Sequence, residues 1–391
     1  MLGAIILVVL TIICTWKLLR EFPQWLKMLS VLLIILYSGF VSYRHYNLVN
    51  TTGNAVVYDR YSDTAYYQDQ AEDFKDVPFW DISISDIKNN ADGMHFGYQA
   101  LIVLMQRISD SPMLATRLAK IFLYFFGLCM LARTWRNQFG IPLATKGYLF
   151  FALFFTPMHF YVFRNLKDLV ILSVFMMIMA VVDSLFDKPY YSYHLEHKPV
   201  KNNLKKKLCL LIFLLMFIAV LRLYMAVIIV LPVLAQIVMT RKAFPTKLKV
   251  TLFSLIILVF VVALISGYMS KVFLYGGKAL SGGLLGYNLL QGFFSPIPWG
   301  AIWSQDIVGA LFWVWYWPLI AYSFFCFVSE LRSNMTWHIL ACLMLVMILS
   351  IAVGHPYRKR LAVIPIMVMW ILKYQYLCKY RQHIKWTKNI H

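Results

Sequence analysis

Long apolar runs recur along this chain, and they constrain its fold more than any other feature. Runs such as "LGAIILVVLTIICTWKLL" and "DLVILSVFMMIMAVVDSLF" carry few charges and are long enough to cross a bilayer core about 30 Å thick. Hydrophobic residues occupy 61% of the 391 positions, which leaves little polar surface to cover a soluble protein of this size. We therefore predict an all-α membrane protein that crosses the bilayer several times.

The apolar runs predict about eleven transmembrane helices. Their predicted limits are 2–19, 25–43, 119–132, 147–163, 166–186, 208–221, 224–239, 250–267, 309–328, 337–354 and 361–376. The stretch 208–239 is divided at Arg222, because a single helix would be about 48 Å long. A lipid-facing charge in its middle would also cost roughly 3 kcal/mol. We expect a tight helical hairpin there.

These spans divide the chain into six predicted segments. They are two N-terminal transmembrane helices (1–43), an acidic and aromatic outer loop with short amphipathic helices (44–118), transmembrane helices 3–8 (119–267), a Gly/Pro-rich outer loop (268–308), transmembrane helices 9–11 (309–376) and a basic cytoplasmic tail (377–391). With the N-terminus outside, an odd number of spans places the basic tail inside.

The distribution of Lys and Arg supports that orientation. The predicted inner segments hold more than half of the 37 Lys and Arg residues, as the positive-inside rule requires. They are 17–27, 133–146, 188–207, 240–249, 329–336 and the region from 373 onward. Residues 59–92, in the first outer loop, hold more than half of the 17 acidic residues. Topology thus accounts for the net charge of +20, and we expect no nucleic-acid partner.

The acidic loop carries a patterned motif, "DTAYYQDQA". Asp63, Tyr67 and Ala71 are spaced four residues apart, which places them on one helical face. Asp59 is a second carboxylate nearby. The motif resembles the first outer-loop signature of C-fold membrane glycosyltransferases, where an acidic residue precedes a short helix with Tyr and Ala. The resemblance implies that Asp63 is the leading catalytic residue, assisting the acceptor nucleophile, with Asp59 second.

Later stretches resemble the same family in the same order, so the similarity covers roughly residues 56 to 376. They are residues 96–140, "FFTPMHFYVFRNLKDLVILSVFMMIMA", "GFFSPIPWGAIW" and "HPYRKRLAVIPIMVMWIL". One departure is that two apolar spans precede the acidic loop, where the family usually has one. The resemblance implies transfer of a sugar from a polyprenyl-phosphate carrier to a glycan or lipid-linked acceptor. The active site would face outward from a bacterial cytoplasmic membrane, in cell-surface polysaccharide synthesis.

Several basic residues fall at the predicted outer face and are candidates for binding the donor phosphate. They are Arg164, Lys167, Arg222, Arg358, Lys359 and Arg360. Their position opposes the positive-inside preference, which an anionic lipid phosphate would explain, since guanidinium groups bind phosphate bidentately. Pairing with loop acids or binding of membrane-lipid headgroups are the alternatives. Tyr67 and Tyr224 complete the substrate-binding candidates.

Metal dependence is left open by the sequence. The carboxylates of Asp59 and Asp63 suit magnesium or manganese, but the fold includes metal-free members. No His-x-x-x-His spacing occurs, so we expect no zinc site.

Three functions are consistent with these features. The first is the transferase described above. The second is an O-antigen or exopolysaccharide polymerase that joins lipid-pyrophosphate-linked repeat units. The third is a transporter or flippase for lipid-linked saccharides, which would be expected to show internal repeats and ionisable residues deep within its spans. The Asp63–Tyr67–Ala71 pattern favours the transferase.

Overall fold

A computed structural model describes thirteen stretches and one isolated residue of the chain. They are residues 2–55, 67, 73–74, 76–78, 81–83, 85–86, 96–109, 111–155, 162–163, 167–186, 204–239, 316–327, 341–342 and 360–388. The helices are α1 (Leu2–Leu18), α2 (Gln24–Thr52), α3 (Phe96–Ile108), α4 (Pro112–Phe139), α5 (Ile141–Leu149), α6 (Asp168–Phe186), α7 (Leu204–Leu221), α8 (Leu223–Met239), α9 (Tyr316–Phe327) and α10 (Val363–Lys388). A π-helical turn, Phe150–Phe154, continues α5, and a 3₁₀ turn, Arg360–Ala362, precedes α10. These stretches contain no β-strand.

Among the described residues, three helices are long and apolar enough to cross a membrane: α2, α4 and the Asp168–Leu185 part of α6. Shorter apolar helices accompany them at Leu2–Leu18, Ile141–Phe154, Met225–Leu234 and Tyr316–Phe327. The all-α membrane class is therefore supported by the described part of the chain. The count of about eleven spans stays a prediction, and the predicted span 250–267 lies outside the described residues.

Helix α4 lies at the centre of the described bundle, where it packs against α1, α2, α3, α5 and α6. Gly127 allows the close approach to α6, because a Cβ at that position would lie 2.6 Å from the backbone oxygen of Ser173. In its most apolar window, α6 is 89% buried, whereas α2 is only 33% buried. Helix α6 thus belongs to the interior, and α2 presents apolar side chains on the outside of the bundle.

Two helices have bounds that differ from the predicted span limits. Helix α4 runs over Pro112–Phe139, well beyond the predicted 119–132. Pro112 suits a first turn, and Gly140, with φ of 84°, ends the helix. The next helix begins at Ile141 and its π-helical continuation ends at Phe154, so the predicted 147–163 is displaced.

The predicted helix break at Arg222 is confirmed, since α7 ends at Leu221 and α8 begins at Leu223. The Arg222 guanidinium lies 3.1 Å from Oδ1 of Asp168, which gives the interior charge a partner. An antiparallel hairpin of α7 and α8 stays a prediction. Both α2 and α10 continue past their predicted limits of 43 and 376, to Thr52 and Lys388.

Contacts between helix ends define two ends of the bundle. We call the first of them the Arg136 end. There the guanidinium of Arg136 on α4 donates to Glu21, between α1 and α2. Thr134 on α4 donates to the carbonyl of Ala180 on α6, at 3.2 Å, near this end.

The last turn of α6 and the first turn of α7 also lie near the Arg136 end. Close to Ala180, Lys207 donates to the carbonyl of Ser184 at 2.9 Å. The predicted inner segments 17–27, 133–146 and 188–207 therefore all have residues at or near the Arg136 end of the bundle. The opposite, Lys167 end contains the last turns of α2 and α7 and the first turns of α4 and α6.

Candidate functional site

A buried contact at the Lys167 end joins two predicted site residues that are distant in sequence. Nζ of Lys167 donates to the hydroxyl of Tyr67 at 2.6 Å. Lys167 is 2% exposed and Tyr67 is 3% exposed. Lys167 immediately precedes α6, while Tyr67 belongs to the acidic loop. The structure thus brings the tyrosine of the "DTAYYQDQA" motif to a cation at the start of a buried helix.

Asp168, the first residue of α6, organises the cations around it. Its carboxylate pairs with Arg222, and both side chains are largely buried. Lys120, fully buried on α4, interacts electrostatically with the same carboxylate. The position of Asp168 in the first helical turn also suits a negative charge, since the N-terminus of a helix carries partial positive charge. One acid therefore interacts with two cations that belong to different parts of the fold, Lys120 on α4 and Arg222 between α7 and α8.

Tyr98, on α3, packs against the Lys167–Tyr67 contact. Its ring packs edge-on against that of Tyr67, with 5.3 Å between ring centroids. Burial raises the pKa of the Tyr98 phenol well above its ordinary value, and the neighbouring Tyr67 and Asp168 act in the same direction. Tyr98 is therefore a neutral phenol at any physiological pH. Gly97, the preceding residue, allows α3 to approach α7 closely, because a Cβ there would lie 2.6 Å from Cγ2 of Val220.

A second buried group lies at the same end of the bundle and is built around Arg117 of α4. Its guanidinium donates to the Phe163 carbonyl at 2.8 Å, to Nδ1 of His45 at 2.7 Å and to the Ala55 carbonyl at 2.9 Å. It also lies 4.4 Å from the centroid of the Phe163 ring. The guanidinium of Arg44 lies 4.5 Å from the same centroid. We call these five residues the Arg117 group.

The ten predicted site residues fall into three sets. Lys167, Tyr67 and Arg222 are brought together around Asp168. Tyr224 occupies the first turn of α8, two residues beyond Arg222, and Arg360 begins the 3₁₀ turn that packs against α6. Asp59, Asp63, Arg164, Arg358 and Lys359 lie outside the described residues.

Sequence reasoning missed Arg117, Lys120 and His45. Arg117 and Lys120 are three residues apart, which places them on one face of α4, in the first turns of an apolar helix. Charges inside an apolar helix are rare and point to pairing or function. That signal was available in "ATRLAKIFLYFF". His45 falls just beyond residue 43, where the second span is predicted to end, so the sequence alone does not place it on a helix.

Within the described residues, no group of three His, Cys, Asp or Glu side chains could hold a metal ion. The carboxylate of Asp168 has cationic neighbours, Lys120 and Arg222, which would repel a divalent cation. Magnesium or manganese at Asp59 and Asp63 stays a prediction, because those residues lie outside the described part.

The arrangement at the Lys167 end is suited to an anion. It combines ammonium and guanidinium donors with phenol groups, and such charged donors form the stronger hydrogen bonds to phosphate. Comparison with protein-family models, curated proteins and solved structures finds no match to this chain.

Proposed function

We propose that this chain is an integral-membrane glycosyltransferase that uses a polyprenyl-phosphate-linked sugar. The acceptor is a glycan or a lipid-linked saccharide on the outer face of a bacterial cytoplasmic membrane. The observation that carries the proposal is the Lys167–Tyr67 contact beside the Asp168–Arg222 pair. It joins the tyrosine of the acidic-loop motif to cations at one end of a bundle of apolar helices.

The proposed reaction assigns a role to each group. Asp63, with Asp59 as the second candidate, accepts the proton of the acceptor hydroxyl, whose oxygen then attacks the anomeric carbon of the donor sugar. The bond between that carbon and the phosphate oxygen breaks, and polyprenyl phosphate leaves with the bonding electrons. Lys167 and Arg222, together with Arg164, Arg358, Lys359 and Arg360, stabilise the charge of the departing phosphate. Attack from the opposite face inverts the anomeric configuration.

The direct test is sugar transfer by purified protein in nanodiscs. Wild type and Asp63→Asn are given radiolabelled undecaprenyl-phosphate monosaccharides, with lipid-linked and free glycans as acceptors. Removal of a general base is expected to lower the rate by about 10²–10⁴-fold. Asp86→Asn is a matched control in the same loop. Ser83 donates two hydrogen bonds to Asp86, which lowers the pKa of that carboxyl, so the control also removes an ionised acid.

The outcomes separate the alternatives. Transfer from the monophosphate donor that is lost in Asp63→Asn and kept in Asp86→Asn would support the proposal. Growth of product ladders from lipid-pyrophosphate oligosaccharides alone would identify a polymerase. Protein-dependent movement of a lipid-linked sugar across a liposome bilayer, without any transfer, would identify a transporter.

A further inference from the structure

Arg117 links the base of the acidic loop to the segment that leads into α6. Its three hydrogen-bond acceptors are the carbonyl of Ala55, the imidazole of His45 and the carbonyl of Phe163. We propose that Arg117 is a positioning residue, which holds the start of the acidic loop in register with the start of α6. The part of this proposal that concerns catalysis rests on the proposed transferase function.

Two of the three acceptors of Arg117 lie shortly before candidate site residues in the chain. Ala55 lies two residues beyond Gly53, which ends α2 with φ of 69°, and four residues before Asp59. Phe163 lies four residues before Lys167. One rigid guanidinium therefore contacts the chain just before the candidate catalytic carboxylates and just before the candidate phosphate-binding cation. A shift of Arg117 would displace Ala55 relative to Phe163.

The chemistry of the contact requires arginine. All three acceptors are neutral, and a guanidinium presents five N–H donors in a fixed plane, so it can bond all three at once. Because an arginine can only donate, Nδ1 of His45 must accept, which places the imidazole proton on Nε2. A lysine at this position would keep the charge, but its single ammonium cannot reproduce the planar geometry.

The charge of Arg117 also argues for a specific role. The side chain is 0% exposed, and burying a cation is costly unless hydrogen bonds compensate for lost water. Within the described residues, neither Arg117 nor the neighbouring Arg44 has a carboxylate partner; both stack on the ring of Phe163. A purely apolar contact would hold α2 against α4 without this cost. The three directed bonds provide what an apolar contact cannot, namely a defined placement of two loop segments.

Hydrogen exchange of wild type and Arg117→Lys in nanodiscs tests the placement directly. Two backbone amides report on the two linked segments: Gly53 N–H, bonded to the Val49 carbonyl at 2.8 Å, and Ile171 N–H, bonded to the Lys167 carbonyl at 3.0 Å. Loss of a charge-assisted hydrogen bond is expected to raise local opening about tenfold at both. Arg136→Lys is the matched control, since Arg136 lies on the same helix at the opposite end and donates to Glu21.

Faster exchange at both Gly53 and Ile171 in Arg117→Lys, and at neither in Arg136→Lys, would support the placement. Unchanged exchange at these amides would overturn it. Faster exchange along every helix would also overturn it, because Arg117 would then be a general contributor to stability.

The kinetic arm tests whether the placement matters for the reaction. A misplacement of about 1 Å can cost about 10²-fold in rate, so kcat of Arg117→Lys should fall by about 10–100-fold. KM for the lipid-linked donor should change less than about threefold, because a positioning residue makes no contact of its own with the donor. A rise in KM at unchanged kcat would instead make Arg117 a binding residue. If wild type shows no transfer, the proposed function fails while the exchange result still decides the placement.

Discussion

Lys167 and Tyr67 form the most informative pair of side chains in the described structure. A buried ammonium needs hydrogen-bond partners, because transfer of its charge out of water is otherwise strongly unfavourable. The phenol of Tyr67 provides one such partner at 2.6 Å. The bond also fastens a residue of the outer loop to the start of α6, so the energetics of burial and the geometry of the candidate site are coupled in one contact.

We predict that Tyr67→Phe destabilises the protein by about 1–3 kcal/mol, because it leaves a buried donor without this acceptor. Tyr46→Phe is the matched control: Tyr46 lies on α2, is 37% exposed and keeps its ring contact with His45 in the variant. Its effect should stay within about 0.5 kcal/mol. Thermal unfolding in detergent, followed by circular dichroism, measures both. Equal effects of the two substitutions would contradict a special role for the Lys167–Tyr67 bond.

At this scale, sequence reasoning found residues that combine a charge with a loop or helix-end position. Lys167 and Arg222 are predicted for that reason and Tyr67 for its place in the acidic-loop motif; in the structure Lys167 contacts Tyr67, and Arg222 pairs with the adjacent Asp168. Arg117 falls in the predicted outer loop 44–118 and Lys120 at the start of the predicted span 119–132, so the sequence alone does not show that both lie in the first turns of one long helix. Only the three-dimensional structure shows that neutral carbonyls and Asp168 compensate them.

At the scale of helices, the limits of α4 show which signals the sequence carries. Apolar content alone predicted 119–132, because the charged first turns were assigned to the outer loop. Pro112 and Gly140 mark the true ends, by the preference of proline for a first turn and of glycine for positive φ. The break at Arg222 was predictable, because one helix through that charge would have been too long and too costly.

The crossing of α4 and α6 depends on the absence of a side chain at Gly127. We predict that Gly127→Ala destabilises the protein by about 1–3 kcal/mol, since the added Cβ would lie 2.6 Å from a backbone oxygen that cannot easily move. Gly39→Ala on α2 is the matched control, because a Cβ there meets nothing within 4 Å. It should be neutral or stabilising by up to about 1 kcal/mol, through its better helix propensity. Unfolding in detergent again gives the difference, and a stable Gly127→Ala would show that the two helices can separate.

For the whole molecule, the described contacts place the helix ends in two groups. The positive-inside rule predicted which segments share an end, and the contacts of Arg136 with Glu21 and of Lys207 with Ser184 agree with that grouping. The regions 250–267 and 268–308 were predicted as a span and a Gly/Pro-rich loop, and those predictions stand untested. Apolar length cannot show how such segments pack, because lipid and protein surroundings are equally apolar.

We predict that the Lys167 end faces outward and the Arg136 end faces the cytoplasm. In a variant whose six cysteines are replaced by alanine, Asp86→Cys should react with a membrane-impermeant maleimide in intact cells. Arg20→Cys, whose native side chain is 72% exposed near the Arg136 end, should react only after the membrane is opened. Reaction of Arg20→Cys in intact cells, with Asp86→Cys protected, would reverse the orientation and place the candidate site inside.

The most direct measurement for the whole account is the binding of a lipid-linked phosphate sugar at the Lys167 end. Native mass spectrometry of the protein with undecaprenyl-phosphate monosaccharide should show a bound donor for wild type and at least about tenfold weaker binding for Lys167→Gln, because a charge-assisted hydrogen bond to phosphate is lost. Lys146→Gln, which removes an exposed lysine of α5, should bind as wild type does. Equal binding by the Lys167 and Lys146 variants, or no binding by wild type, would contradict the account.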